Sequence, residues 1–341
     1  APAAYRTQVN DLLLTALGRA LCRHAGEESF LVDLEGHGRE DLFEELDISR
    51  TVGWFTSAYP VRLAPLGAPD VALKRIKQDL RAIPDKGIGY GLLKYMGCDA
   101  DRQALAALAP AQVLFNYLGQ FDGSFEADAA WRPAAEPSGD AQDPDAPLGH
   151  ELVINGQVFD GMLKMTFSYS AARHDGAAIR ALADDFGREL QALVAHCCSG
   201  ALGVTPSDFP LAPLDQARLD ALDLPLNELA DLYPLSPMQA GMLFHCLQAP
   251  QGSAYVNQLC VDVEGLDAQR FAASWRAVAA RHDILRTRFV QDGGEALQWV
   301  SRAGAGEVAL LDWRGQDAGA AALDAYARAK PRARRPRRCA T

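Results

Sequence analysis

The chain has 341 residues, 49% hydrophobic and 23% charged, a globular balance with room for two domains or one large one. Its net charge of −11 argues against a nucleic-acid partner, and no run reaches the roughly 20 apolar residues of a membrane span. Seven cysteines (22, 98, 197, 198, 246, 260 and 339) without a CxxC pair fit a reducing compartment, so a cytoplasmic location is expected.

The opening APAAYRTQVN has no signal-peptide pattern and no initiating Met, so the natural start is expected upstream. Val9, Leu12, Leu13, Ala16, Leu17, Ala20 and Leu21 then predict an amphipathic helix within residues 5–24. Phe30, Val32 and Leu34 predict a buried strand that runs into the glycine-punctuated turn Glu35-Gly36-His37-Gly38-Arg39-Glu40. A strand is expected around Thr51–Leu63 and a helix over Val71–Ile83, followed by a loop or tight turn at Gly87-Ile88-Gly89-Tyr90-Gly91. Val113–Leu118 reads as a strand, and residues 122–149, rich in Ala, Asp, Pro and Gly, as a surface loop. Leu152–Phe159 and Leu163–Tyr169 form a predicted hairpin across Asp160-Gly161, before an amphipathic helix carrying Ile179, Leu182, Phe186, Leu190, Leu193 and Val194. His196, Cys197 and Cys198 diverge around that helix, which favours small buried residues over a metal site.

Near residue 200 the composition changes, and the prolines of Gly203–Leu226 mark an inter-domain linker. A new unit starts at Leu232-Tyr233-Pro234-Leu235-Ser236-Pro237-Met238-Gln239, where Ser236 or Asp231 is placed to cap a helix. Tyr255–Val263 alternates as a strand and Arg270–Arg281 is helical. Residues 328–341 hold seven Lys/Arg and no acid, leaving the rest at −18, with 26 basic against 44 acidic residues. This tail is expected to be disordered, and its Arg, Ala and Pro content resembles shifted reading of GC-rich coding DNA.

Four ordered segments, EGHGRE (35–40), RTVGWFTSAYPVRL (50–63), PDKGIGYG (84–91) and FNYLGQ (115–120), together with TPSDFPLA (205–212), resemble epimerization domains of non-ribosomal peptide synthetases. LSPMQAGMLFH (235–245) and RHDILRTRF (281–289) resemble the first two motifs of a condensation domain. The resemblance implies an α+β, chloramphenicol-acetyltransferase-like two-lobed sandwich fold. It divides the chain into the C-terminal lobe of an epimerization domain (1–202), a linker (203–227), the N-terminal part of a condensation domain (228–322) and a basic tail (323–341). It further implies peptidyl carrier protein domains and a missing N-terminal epimerization lobe as partners. The substrate would arrive on the carrier's phosphopantetheine arm, with no cofactor bound by this chain. Both domain types carry a His-His-x-x-x-Asp-Gly motif, and no His-His pair occurs in these 341 residues. The isolated chain is therefore expected to be inactive and to expose apolar surface.

Epimerization requires removal of a weakly acidic α-proton from one face of a thioester and its return to the other. By resemblance Glu35 is the candidate acid or base. Tyr117 is preferred over Asn116 for chemistry, because adjacent strand residues point to opposite faces, and Asn116 is assigned backbone support. His37, Arg39, Gly89 and Tyr90 are candidate substrate-binding or supporting residues. Glu40 is the fallback carboxylate, at an expected helix start. Three ligands within six residues of one turn make a poor metal site, so no metal is expected. Trp54, Phe55 and Tyr90 read as core or tunnel wall, and Arg281, His282, Asp283 and Arg286 as a helix-end salt-bridge cluster. The alternative function is a non-catalytic module that docks a carrier protein or complements the missing lobe. A stand-alone acyltransferase is disfavoured for want of the His-His motif.

Overall fold

The computed structural model describes residues 1–120, 149–248, 259–292, 295–303, 308–314 and 322–326, with isolated positions at 136, 139, 143, 146, 147 and 255. The chain divides into two compact units, Ala1–Val204 and Thr205–Thr341. No helix among the described residues is long and apolar enough to cross a membrane.

In the first unit a short helix α1 (Pro2–Tyr5) precedes α2 (Val9–Ala25), strands β1 (Phe30–Gly36) and β2 (Ser57–Leu63), and α3 (Pro69–Arg81). Helices α4 (Ile88–Met96) and α5 (Asp99–Ala106), strands β3 (Val113–Gln120), β4 (Leu152–Phe159) and β5 (Met162–Tyr169), and α6 (Gly176–Cys198) follow. The strands form one sheet in the order β2-β1-β3-β4-β5. Pairings β1–β3 and β3–β4 are parallel, whereas the outer pairs β1–β2 and β4–β5 are antiparallel.

Helix α2 starts in a capping box, where Gln8 N donates to Asp11 Oδ2 at 2.8 Å, and stops at Gly26, whose φ of +72° favours glycine. Its apolar stripe (Leu13, Leu17, Ala20) is buried against Val32 and Leu34 of β1, Phe115 of β3, Ile154 of β4 and Phe186 of α6. One sheet face therefore belongs to the helices, and the alternation of strand side chains sends the intervening residues to the other. The predicted hairpin is present, and Asp160 and Gly161 both take positive φ (54° and 66°), the requirement of a type I′ turn.

Charged ties lock the helical layer. Asp11, 1% exposed, accepts from both terminal nitrogens of Arg81 at 3.1 and 2.8 Å, joining α2 to α3. Glu189 of α6 takes Arg19 at 2.6 Å and Arg23 beside it, joining α6 to α2.

In the second unit, β6 (Leu229–Pro234), β8 (Glu295–Ser301) and β7 (Thr287–Asp292) form an antiparallel sheet in that spatial order, beside α7 (Gln216–Ala221), α8 (Pro237–Gln248) and α9 (Ala268–Arg281). Ser236 and Gln239 cap α8 reciprocally, Gln239 N donating to Ser236 Oγ at 3.3 Å and Ser236 N to Gln239 Oε1 at 2.9 Å. Gln239 also bonds the buried Gln298 of β8 at 3.0 Å, which explains its place in LSPMQ. Arg286 pairs with Asp283 and donates to Ala279 O at 3.1 Å; of the helix-end cluster expected of Arg281, His282, Asp283 and Arg286, this pair alone carries a salt bridge among the described residues.

Several expectations need correction. Gly87–Gly91 is no loop, because Ile88–Met96 is helical despite Gly89 and Gly91; the run Leu92, Leu93, Tyr95, Met96 carries the helix past them. The second strand begins at Ser57 rather than Thr51. Trp54 is 91% exposed, so it is not core. Glu40 caps no helix, since residues 37–56 contain none. Asp231 lies in β6 and leaves the cap of α8 to Ser236. Leu259, Cys260 and residues 261–263 are not strand, and residues 256–258 lie outside the described residues. Residues 203–227 are more than a tether: Phe209, Ala212, Leu214, Leu219 and Leu222 are buried and α7 lies among them. Residues 323–326 of the tail continue a helical stretch from 322, and 327–341 lie outside the described residues, as does nearly all of the predicted 122–149 loop.

The α2–α6 tie yields a pH prediction. Burial raises the Glu189 carboxyl, but hydrogen bonds from Arg23 and Arg19 outweigh it and hold the group below the usual glutamate range. The stabilisation is thus complete above the unfolded value of about 4.3 and is lost as pH falls through the lower folded value. Glu189→Gln is expected to cost about 1 kcal/mol near neutral pH and less in acid, since Arg23 is half exposed and screened. Denaturant titration at pH 7 and pH 3.5 checks both the size and the sign.

Candidate active site

Glu35 is the penultimate residue of β1. Val32 and Leu34 are buried under the helices, so Asp33 and Glu35 fall on the opposite face. The parallel register pairs Leu34 with Phe115, which sets Asn116 of β3 beside Glu35. Asn116 Nδ2 donates to Glu35 Oε2 at 2.5 Å. The bond fixes one carboxylate oxygen and so orients the group on the open face.

The two β3 residues, of which Tyr117 was expected to serve chemistry and Asn116 the backbone, lie on opposite faces of the sheet. Tyr117 shares parity with Val113 and Phe115 and packs against the helical core, beside Gly156 of β4. Its phenol is pushed up by burial. Asn116, assigned to backbone support, is the residue that touches Glu35.

The remaining candidates form a brace around the turn. Arg39 donates to Ile48 O at 2.6 Å and Thr51 O at 2.8 Å, with its guanidinium 4.2 Å from the centroid of the Phe55 ring. It fastens residues 48–55 to the strand end. His37 Nδ1 accepts from Arg39 N at 3.0 Å, and its Nε2 lies 3.3 Å from Glu40 Oε1. Glu40 also takes Lys86 at 2.6 Å. Motif 35–40 is thereby bonded to motif 84–91, a link that no spacing rule could disclose. The Tyr59 phenol under this brace is raised by burial and, secondarily, by the Glu40 charge. Gly89 and Tyr90 ride on α4, with Lys94 5.6 Å from the Tyr90 ring centroid, and no contact ties either to Glu35.

Sequence reasoning passed over further polar groups on the same face. His150 Nε2 lies 2.8 Å from Asp33 Oδ2, two residues before Glu35. Asn155 of β4 is the register partner of Asn116, and Thr166 of β5 the partner of Asn155. A cavity of about 330 Å³ lies elsewhere, lined by core-side residues such as Phe30, Val113 and Leu182. Its rim is internally neutralised, with Glu151 bonding Arg173 at 2.5 Å and His174 at 3.1 Å, so the open face of the sheet is the better site. Among the described residues no three His, Cys, Asp or Glu side chains converge as metal ligands.

The family model "Condensation domain" matches residues 1–202 and 229–334. The chain is 46% identical to one of the linear gramicidin synthase proteins of Brevibacillus parabrevis, across 85% of this chain and 4% of that protein. It is 37% identical to bacitracin synthase 3 of Bacillus licheniformis, across 83% of this chain and 4% of the relative. Among solved structures, the epimerization domain from the third module of tyrocidine synthetase B superposes with a TM-score of 0.53 at 36% identity, covering 58% of this chain and 44% of that one. The chain belongs to the condensation-domain family of non-ribosomal peptide synthetases, and it has the mixed α+β, chloramphenicol-acetyltransferase-like fold of that family. It spans only a small fraction of the length of these synthetases.

The brace predicts a sensitive position. Gly87 has φ +82°, and a Cβ there would collide with the Tyr59 ring. Gly87→Ala is expected to cost about 2 kcal/mol or more, whereas Gly89→Ala, with open space around it, should be neutral or slightly stabilising. Paired urea melts check this contrast.

Proposed function

We propose that residues 1–202 are the carboxylate-bearing part of an epimerization domain, that residues 203–227 lead onward, and that residues 228–322 begin a condensation domain. The substrate is an aminoacyl or peptidyl thioester on the phosphopantetheine arm of a peptidyl carrier protein. Glu35, oriented by Asn116 on an open sheet face, is the observation that carries this reading. Likeness to an epimerization domain over 58% of the chain at 36% identity supports it, as do the condensation-type motifs of the second unit.

Removal of the α-proton leaves an enolate whose charge must be stabilised, and reprotonation must come from the other face. Glu35 supplies one partner in that exchange: its free oxygen takes the proton, or holds it for return, while Asn116 keeps the carboxylate from rotating. The second partner is a histidine contributed by the preceding lobe, since no His-His pair occurs here. His150 stands on the same sheet face as Glu35 and cannot serve the opposite face of the substrate. The exposed Val52 and Trp54, 99% and 91% accessible, fit a surface that receives that lobe.

In a polypeptide that joins this chain to its preceding lobe, Glu35→Gln is expected to lower α-proton washout from a carrier-bound thioester by about 10²–10⁴-fold. This chain alone is expected to give no exchange. Deuterium incorporation, read by mass spectrometry of the released amino acid, checks both; exchange by the isolated chain would contradict the reading.

A further inference from the structure

At the end of the sheet opposite Glu35, the strands leave a hollow under the helices. Phe30 opens β1, Val113 opens β3 and Leu152 opens β4, and all three line the cavity of about 330 Å³ together with Leu21 of α2 and Ile179 and Leu182 of α6. Phe30 precedes Glu35 by five positions, which at about 3.3 Å per residue puts the cavity on the order of 17 Å from the carboxylate. The cavity also lies on the helical side of the sheet, whereas Glu35 stands on the open face. The two sites are separate.

The lining divides by chemistry. Leu21, Val113, Leu152, Ile179 and Leu182 are buried and form an apolar floor. The polar lining residues His24, Gln112 and Arg173 are exposed, and Glu151 and His174 half-buried, so they form the rim. Glu151 accepts from Arg173 at 2.5 Å, and His174 Nε2 lies 3.1 Å from its other oxygen. A carboxylate has about four lone-pair sites and a guanidinium five N–H donors, so this pairing leaves acceptors on Glu151 and donors on Arg173. The edge of an apolar hollow thus carries one acid and one permanent cation side by side.

We propose that this cavity binds a free α-amino acid with a branched or aromatic apolar side chain. The ligand carboxylate meets Arg173, its ammonium meets Glu151, and its side chain fills the floor. Such a zwitterion is neutral overall, as the Glu151–Arg173 pair is, and its opposite charges flank a single carbon, which matches the close spacing of that pair. A fatty acid would set its carboxylate against Glu151, and a simple amine would set its charge against Arg173; neither satisfies both. The volume lies near the lower end of the roughly 300–1,000 Å³ of ligand sites, the size for one small molecule. Because its walls come from α2, α6 and three strands, an occupant ties the helical layer to the sheet, far from the reacting carboxylate. The proposal does not depend on the role of Glu35.

The test titrates L-phenylalanine into this chain by calorimetry, with glycine, N-acetyl-L-phenylalanine and L-phenylalaninamide as comparisons. Phenylalanine is expected to bind with a Kd of about 1 mM or tighter, and each comparison about tenfold more weakly, since each lacks the side chain, the ammonium or the carboxylate. At a tenfold excess over Kd, Tm rises by about 3 °C. Arg173→Gln, at an exposed position, weakens phenylalanine binding about tenfold. Ala25→Phe, which fills the cavity from the exposed end of α2, abolishes it. Should Ala25→Phe fold poorly, Arg173→Gln still decides. No binding at about 10 mM phenylalanine overturns the proposal, as does binding unchanged by either substitution. Equally tight binding of a capped form also overturns it, because the rim then reads one charge and not a zwitterion.

Discussion

Where Leu34 of β1 pairs in parallel with Phe115 of β3, strands 81 residues apart in sequence are fixed in a register on which the remaining features depend. The pairing buries both apolar side chains under α2 and α6 and, by the same alternation, turns Glu35 and Asn116 outward together. A slip of one residue would bury Glu35 and expose Leu34. Hydrophobic burial on one face thus sets the geometry of the polar groups on the other, and the helical layer, locked by Asp11–Arg81 and Glu189–Arg19, holds the sheet in place.

The turn after β1 adds a second constraint. Arg39 donates to backbone carbonyls of residues 48–53 and lays its guanidinium on Phe55, so it shapes a loop. Glu40, His37 and Lys86 join the first and third motifs into one support, with Gly87 making room for Tyr59. These contacts hold the end of β1, where Glu35 stands beside Asn116.

Strongly periodic elements were legible in the sequence: α2, α6 and the β4–β5 hairpin, whose Asp160-Gly161 turn announces itself. Glu35 was legible through its motif. The choice between Asn116 and Tyr117 was harder, because β3 reads VLFNYLGQ, with apolar residues on both parities; only burial of Val113 and Phe115 shows which side Tyr117 joins. Helix α4 was hidden by glycines that propensity assigns to a turn. The alignment of Asn116, Asn155 and Thr166 carried no local signal, since it exists only in cross-strand register. The proline-rich stretch after residue 203 looked like linker because prolines mask how many of its leucines are buried.

If Glu35 and Asn116 act as one unit, a double-mutant cycle on this chain will show them coupled. Unfolding free energies of Glu35→Ala, Asn116→Ala and the double variant should reveal a coupling of about 1 kcal/mol, as expected of a charge-assisted hydrogen bond on a half-buried face. Additive effects, with coupling indistinguishable from zero, would contradict the account.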